Sequence, residues 1–161
     1  MMIKDLVRKN RTCRRFYEDV PVSKKTLEEL VDLARLSASA ANKQPLRYIL
    51  SCEKNKNDII FNTLAWAAYL KDWPGPIEGE KPSAYIIMLN NQEISKNYWC
   101  DPGIAAQSIE CEPSVKIRKN AVGERFLLLF HALPSHCFRV CHPRTFILSG
   151  QFDAYPPVLF L

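Results

Sequence analysis

The stretch Ala84-Tyr85-Ile86-Ile87-Met88-Leu89 decides how this chain folds. Successive side chains of an extended segment point to opposite sides. A continuous apolar run of this kind therefore predicts a central strand buried on both faces. The segment before it, residues 72–82, contains three prolines and two glycines and reads as a loop. Leu46 to Leu50 reads as a second strand, entered just after Pro45.

Helical patterns surround these strands. Ile3, Leu6, Val7 and Asn10 form a short stripe, which predicts a helix over residues 2–10. Pro21 and Ser23 announce the next helix, with Ser23 as its N-cap and Thr26 with Glu29 as an alternative capping box. Leu27, Leu30, Val31 and Ala34 give that helix an apolar face, and the spacing predicts it over 24–38. A run of small residues, Ser37-Ala38-Ser39-Ala40-Ala41-Asn42, follows before Pro45 forbids continuation. Residues 58–70 are apolar and alanine-rich and predict a helix. Asp101-Pro102-Gly103 opens another, with Asp101 as N-cap and Pro102 at the first position. The small side chains after Ile104 let a neighbouring backbone approach closely, either in the core or at an interface. Strands alternating with helices predict a layered α/β or α+β domain.

The chain has 161 residues, 47% of them hydrophobic and 24% charged, the balance of an ordinary globular protein. No apolar run approaches the roughly 20 residues that a membrane helix needs. The start, Met1-Met2-Ile3-Lys4-Asp5, lacks the apolar core of a signal peptide, so a cytoplasmic location is expected and the six cysteines are expected to be reduced. The net charge of +5 is thinly spread. Only Arg8 to Arg15 is densely basic, which suits one small anion rather than a nucleic acid. After about Glu110 the regular patterning ends. That tail holds His131, His136, Cys137, Cys141 and His142, whose spacings match no zinc-finger pattern; adjacent Cys141 and His142 would strain one tetrahedron, and no metal is expected.

Glycine-rich phosphate loops and nucleophile elbows are missing from the sequence. Two other segments carry chemistry. Asn10-Arg11-Thr12-Cys13-Arg14-Arg15-Phe16 places guanidinium forks and a hydroxyl just after a helix, a set that binds phosphate. A solvated basic turn explains the same residues. Ser39-Ala40-Ala41-Asn42-Lys43-Gln44-Pro45-Leu46 places a hydroxyl and two amides on an irregular segment before a strand. Such groups read the donors and acceptors of a planar heterocycle; a small-residue helix end with an Asn cap is the plainer explanation.

Taken together, the two segments resemble the FMN-dependent nitroreductase family, in which the first looks like the Arg-Ser-x-Arg phosphate segment and the second like the Ser-x-x-Asn-x-Gln-Pro flavin segment. Leu64-Ala65-Trp66, Lys71-Asp72-Trp73-Pro74-Gly75-Pro76 and Asp101 to Ile109 are similar to blocks of one nitroreductase-like subfamily. Thr12 keeps the hydroxyl where the family more often has Ser. The resemblance covers residues 1–110, so the expected organisation is a nitroreductase-like FMN-binding region over 1–110 and a divergent tail over 111–161.

The resemblance implies an α+β fold, a central mixed β-sheet flanked by helices, with the C-terminal part divergent or incomplete. It implies FMN as cofactor, NAD(P)H as co-substrate, a nitroaromatic or quinone-like acceptor, and a homodimer with residues of both chains around the flavin. Nucleic acid and membrane are not expected partners. Arg11, Thr12 and Arg14 would take the phosphate; Ser39, Asn42 and Gln44 would take the ring and ribityl side; no side chain need act as a nucleophile, because the flavin carries the chemistry. Beyond Glu110 the family supplies a glycine-rich turn, another central strand and basic residues, which the tail does not match. The tail is a divergent ending or the product of a shifted reading frame. A missing strand would leave backbone groups unpaired, so weak FMN binding is expected, with a non-catalytic remnant acting as an interaction protein as the alternative. Phe126 to Phe130 and Thr145 to Leu148 are the pieces that would serve as substitute strands.

Overall fold

A computed structural model describes residues 3–10, 14–64, 66, 70–97, 100–111, 126–131 and 158–160. Its helices are α1 (Ile3–Lys9), α2 (Lys24–Arg35), α3 (Lys54–Phe61) and α4 (Asp101–Cys111), with a 3₁₀ turn at Ala40–Asn42. The strands β1 (Leu46–Ser51), β2 (Ala84–Asn90), β3 (Phe126–His131) and β4 (Val158–Phe160) form one sheet in the order β3-β2-β1-β4. β1 and β2 are antiparallel, with Leu46 opposite Asn90 and Ser51 opposite Tyr85. β3 lies parallel to β2 and β4 parallel to β1, so the sheet is mixed and the expected α+β class holds.

Every residue of β2 is buried, as the apolar run predicts. Period-two alternation divides its side chains between two cores. Ala84, Ile86 and Met88 join Tyr48 and Leu50 of β1 against Leu27, Leu30, Val31 and Ala34 of α2 and Ala105 and Ile109 of α4. On the opposite face Tyr85, Ile87 and Leu89 join Ile49 of β1 and Ile60 of α3. Helices thus cover both faces, and the small side chains of α4 serve this core. The Ser37 and Ser108 hydroxyl oxygens lie 2.7 Å apart, between the end of α2 and α4.

Several boundaries differ from the sequence reading. α2 begins as expected, with Ser23 Oγ accepting from the Thr26 amide at 3.1 Å. It stops at Arg35 rather than residue 38, because the Ser37 hydroxyl takes the Leu33 carbonyl at 3.0 Å and its amide turns to Ala34. The helix expected over 58–70 runs instead over Lys54–Phe61. Its start is drawn forward by buried Asn57, which accepts from Ser51 Oγ at 2.7 Å and donates to the Ser83 carbonyl at 2.8 Å. Its end comes where the Thr63 hydroxyl and amide both capture the Ile60 carbonyl. Ala65 and residues 67–69 of that expected helix lie outside the described residues. The α1 stripe is only partly covered: Ile3 is 79% and Val7 56% exposed, while Leu6 and Asn10 are half-buried.

Asp101 is not the N-cap of α4. The Cys100 carbonyl accepts from the Ile104 amide at 3.0 Å, which makes Asp101 the first helical residue and Pro102 the second. Proline is harmless there, since the first four amides of a helix have no intrahelical partner. Phe126–His131 supplies the strand beside β2, while Val158–Phe160 pairs with β1; residues 145–148 lie outside the described residues.

Burial, with the Asp101 charge second, pushes the Tyr48 hydroxyl up to about 12. Burial and then Asp58 and Glu18 raise that of Tyr85, whose hydroxyl has no hydrogen-bond partner among the described residues. Both tyrosines stay protonated in the folded chain above pH 10, where the unfolded chain releases those protons. Stability is therefore unaffected below pH 10 and falls as pH rises from 10 towards 12. The loss should approach about 1.4 kcal/mol per pH unit for each tyrosine. Urea titrations at pH 8, 10 and 11 should show it, and Tyr48→Phe with Tyr85→Phe should flatten it; an unchanged slope in the double variant would assign alkaline lability elsewhere.

Candidate functional site

The segment from Ser39 to Pro45 joins α2 to β1, and its backbone is unusual. Ala41, Asn42 and Gln44 lie in the left-handed region at φ 52, 55 and 49. For an ordinary L-residue that conformation costs roughly 1–2 kcal/mol, less for Asn. Small or unbranched side chains make it reachable; β-branched ones would not.

Asp101, only 3% exposed, faces this loop. Its Oδ2 accepts from the Ser39 hydroxyl at 2.7 Å and its Oδ1 from the Ala40 amide at 2.9 Å. Ser39 Oγ in turn accepts from the Gln44 amide at 2.9 Å, and the Ser39 carbonyl accepts from the Asn42 amide at 2.9 Å. Beyond the loop, the carbonyl of buried Pro45 accepts from the Asn91 amide at 2.8 Å, tying it to the end of β2. Arg47 Nη1 donates to the Leu46 carbonyl at 3.0 Å and the Gln44 carbonyl at 3.3 Å, while its buried Nε has no partner among the described residues.

The three predicted residues of this segment are brought together, in different roles. Ser39 donates its only hydroxyl hydrogen to Asp101, so it builds the loop and keeps one lone pair for anything else. Gln44 Nε2 donates to Asn42 Oδ1 at 2.9 Å, and both side chains are exposed. The Asn42 amino group and the Gln44 carbonyl oxygen, with one Gln44 N–H, remain available to a ligand. A cavity of about 80 Å³ adjoins the loop, lined by Ala40, Ala41, Lys43, Pro45, Ser95 and Asp101 among others. A larger cleft of about 180 Å³, between Glu18, Asp58, Lys81 and Tyr85, shares none of the predicted residues.

The basic segment sits elsewhere. Arg11 and Thr12 lie outside the described residues, and Arg14 is exposed. Its surroundings are fixed by neighbours: Arg15 Nη1 meets Glu80 Oε1 at 3.1 Å and the Phe16 amide donates to the Glu80 carbonyl at 3.0 Å. Glu80 precedes the start of β2 and Asn91 follows its end. Six strand steps separate Ala84 from Asn90, about 20 Å at roughly 3.3 Å per residue. Within one chain, then, Arg14 and the Asn42–Gln44 pair stand at opposite ends of the sheet. Of the tail residues weighed as zinc ligands, His131 belongs to β3 and His136, Cys137, Cys141 and His142 lie outside the described residues.

Asp101 and Arg47 are the site residues that the sequence reading did not assign. The Asp-Pro-Gly pattern points only to a helix cap at Asp101 and carries no sign of its contact with a loop 61 residues away; for Arg47 no sequence signal exists.

The nitroreductase family matches residues 7–108 of this chain. A solved structure described as a candidate NADH oxidase from Clostridium acetobutylicum is 23% identical, with a TM-score of 0.52 over 68% of this chain and 61% of that one. Another, described as a candidate NADH dehydrogenase/NAD(P)H nitroreductase from Parabacteroides distasonis, is 20% identical, with a TM-score of 0.53 over 68% and 62%. The chain spans about three fifths of the length of these structures, and at such identities the likeness is one of fold. No curated protein matches the chain.

Strain in the loop has a measurable consequence. Gln44→Gly should raise the stability of the ligand-free protein by up to about 1 kcal/mol, because glycine adopts positive φ without a steric penalty. The same change removes an exposed amide side chain. Denaturant unfolding checks the first effect, and a fall in stability would show that the Gln44 side chain contributes more than its backbone strain removes.

Proposed function

The chain belongs to the nitroreductase family, and we propose from that premise that it binds FMN and passes reducing equivalents from NAD(P)H to a small electron-poor acceptor, a nitroaromatic or a quinone. The observation that supports this best is the Ser39–Gln44 loop, which is held in a strained form and presents the Asn42 and Gln44 amide groups on the surface. Strain that persists because its surroundings enforce it is characteristic of ligand-binding segments.

The residues fit the group in kind. Planar amides at Asn42 and Gln44 offer a donor and an acceptor to the ring and ribityl side, with the remaining Ser39 lone pair beside them. Arg11, Thr12 and Arg14 offer cationic forks and a hydroxyl to the phosphate. When bound, FMN supplies the hydride chemistry, and the protein supplies binding and orientation. No side chain of this chain is assigned as a nucleophile or proton donor.

One FMN touched by both segments needs two chains, since within one chain they lie at opposite ends of the sheet. The proposed assembly is a homodimer in which the basic segment of one protomer meets the loop of its partner. Exposed Ile3 and Val7 on α1 and Leu36 beside the loop supply apolar surface for such a contact. Residues 1–110 carry the flavin site in this reading, and the tail from 111 to 161 contributes edge strands to the sheet. The cytoplasm, with its NAD(P)H, is the compartment this chemistry suits.

An absorption spectrum of the purified protein and a fluorescence titration with FMN test the reading. Arg14→Ala should weaken FMN by about 1.5–3 kcal/mol and leave riboflavin, which lacks the phosphate, nearly unaffected. Equal losses for both flavins would show that Arg14 acts through folding instead. Val7→Glu should convert a dimer to monomers in sedimentation and abolish FMN binding together with it. Monomers that still bind FMN tightly would sink the two-chain site.

A further inference from the structure

Three residues at positive φ within four positions do not hold themselves. An unrestrained Ala-Asn-Lys-Gln segment would spend most of its time in the ordinary right-handed or extended regions. Something must define Ala41, Asn42 and Gln44, and the hydrogen bonds of the loop lead to a single buried group.

We propose that Asp101 is the positioning residue of this loop: its carboxylate takes the Ser39 hydroxyl and the Ala40 amide, and through Ser39 Oγ the Gln44 amide, so that Asn42 and Gln44 are presented in the left-handed form that receives the ligand. This rests on the reading of the loop as the flavin segment. A buried carboxylate is a costly way to accept two hydrogen bonds. What it gains is strength, because acceptors that carry charge bind about twice as strongly as neutral ones. The observed 2.7 Å and 2.9 Å separations suit that class. Among the described residues hydrogen bonds, not a cation, satisfy the carboxylate. Its place in the first turn of α4 adds the favourable field of a helix N-terminus. Asp101 thus uses a rigid core helix to fix a loop remote in sequence, and touches no ligand itself.

The test combines Asp101→Ala, Ser39→Ala and Ala41→Gly, with amide exchange on the FMN-free protein and FMN titration. In Asp101→Ala the Ala40 and Gln44 amides should exchange at least tenfold faster, while the Ile86 and Met88 amides of β2 keep their rates. FMN affinity should fall about 10–30-fold. Adding Ala41→Gly should recover about fivefold or more of that loss, because glycine occupies the left-handed region freely where alanine is disfavoured roughly 5–30-fold. In the native background the same glycine should change affinity by no more than about twofold, since Asp101 already holds the loop. A residue that merely stabilised the fold would show no such rescue.

Unchanged loop amides, or a loss that glycine does not repair, overturn the proposal. If β2 amides also accelerate in Asp101→Ala, Ser39→Ala decides. It removes only the shared hydroxyl, and loop amides that stay slow there overturn the proposal while faster ones sustain it. A native protein that takes up no FMN refutes the flavin reading, and the amide rates then judge Asp101 alone.

Discussion

Burial of β2 on both faces is the constraint from which the rest of the molecule follows. Its even-numbered side chains meet α2 and α4 and its odd-numbered ones meet α3. A slip of one residue against β1 would exchange the two cores, putting Tyr85 and Ile87 where Ala84 and Ile86 now fit. The register is accordingly rigid, and so are the two ends of the strand. One end meets the segment that begins at Arg14, through Glu80; the other meets the flavin-like loop, through Asn91 and Pro45. Both segments are thereby anchored to the ends of the strand, and the loop is held at Asp101 of α4 as well.

Local propensity and tertiary contact conflict at the loop. Ala41 and Gln44 prefer negative φ, and the chain has only five glycines, none of them here. Holding non-glycine residues at positive φ requires outside contacts that define the conformation more strongly than the local preference opposes it. Asp101 and Ser39 supply these contacts at the end of a core helix. The arrangement spares the site the looseness that glycine would bring, and keeps side chains at positions where a ligand can use them. Local rules broken in one place and compensated in another are expected where a protein functions rather than merely folds.

How much of this is legible in the sequence depends on whether the signal is periodic. β1, β2 and the apolar face of α2 are read correctly because two- and 3.6-residue periods register burial directly. The Ser23 cap is read from residue chemistry and is present. The misplaced α3 shows the limit: its start is set by Asn57 reaching Ser51 and Ser83, polar contacts that no period encodes. Asp101 fails in a similar way. An Asp-Pro-Gly opening points to a helix start, which is right, but the carboxylate serves residues 61 and 62 positions away. In the tail after Glu110 the apolar run Phe126 to Phe130 is legible as a strand, but its partner, and the three-residue strand Val158–Phe160, only the sheet reveals. The family resemblance singles out Ser39, Asn42 and Gln44 as a group, but only the fold shows that Ser39 bonds Asp101 while Asn42 and Gln44 pair with each other and stay exposed.

Site and assembly are linked by the length of β2. A cofactor with phosphate at one end and ring at the other needs cations for the first and hydrogen-bonding amides for the second. In this chain Arg15 and Phe16 contact Glu80, before the start of β2, while the amide loop is tied to Asn91, after its end, and the strand between them is about 20 Å long at roughly 3.3 Å per residue. In the homodimer proposed above, a twofold axis would form two identical sites at once, because an isologous interface uses the same patch from both protomers. Exposed α1 makes sense in the same terms. Its apolar stripe, Ile3 and Val7, has no partner in the core described, and a surface helix that leaves such a stripe uncovered gains stability only by covering it. Two side chains are far too few for a stable dimer, which buries about 800 Å² per partner. The proposed contact would therefore have to extend beyond α1, and Leu36 is exposed next to the Ser39 loop. On the proposed reading, an interface from α1 to this loop would bury the apolar surface and join the two flavin-binding segments in the same step, so that folding, pairing and cofactor binding would stabilise one another.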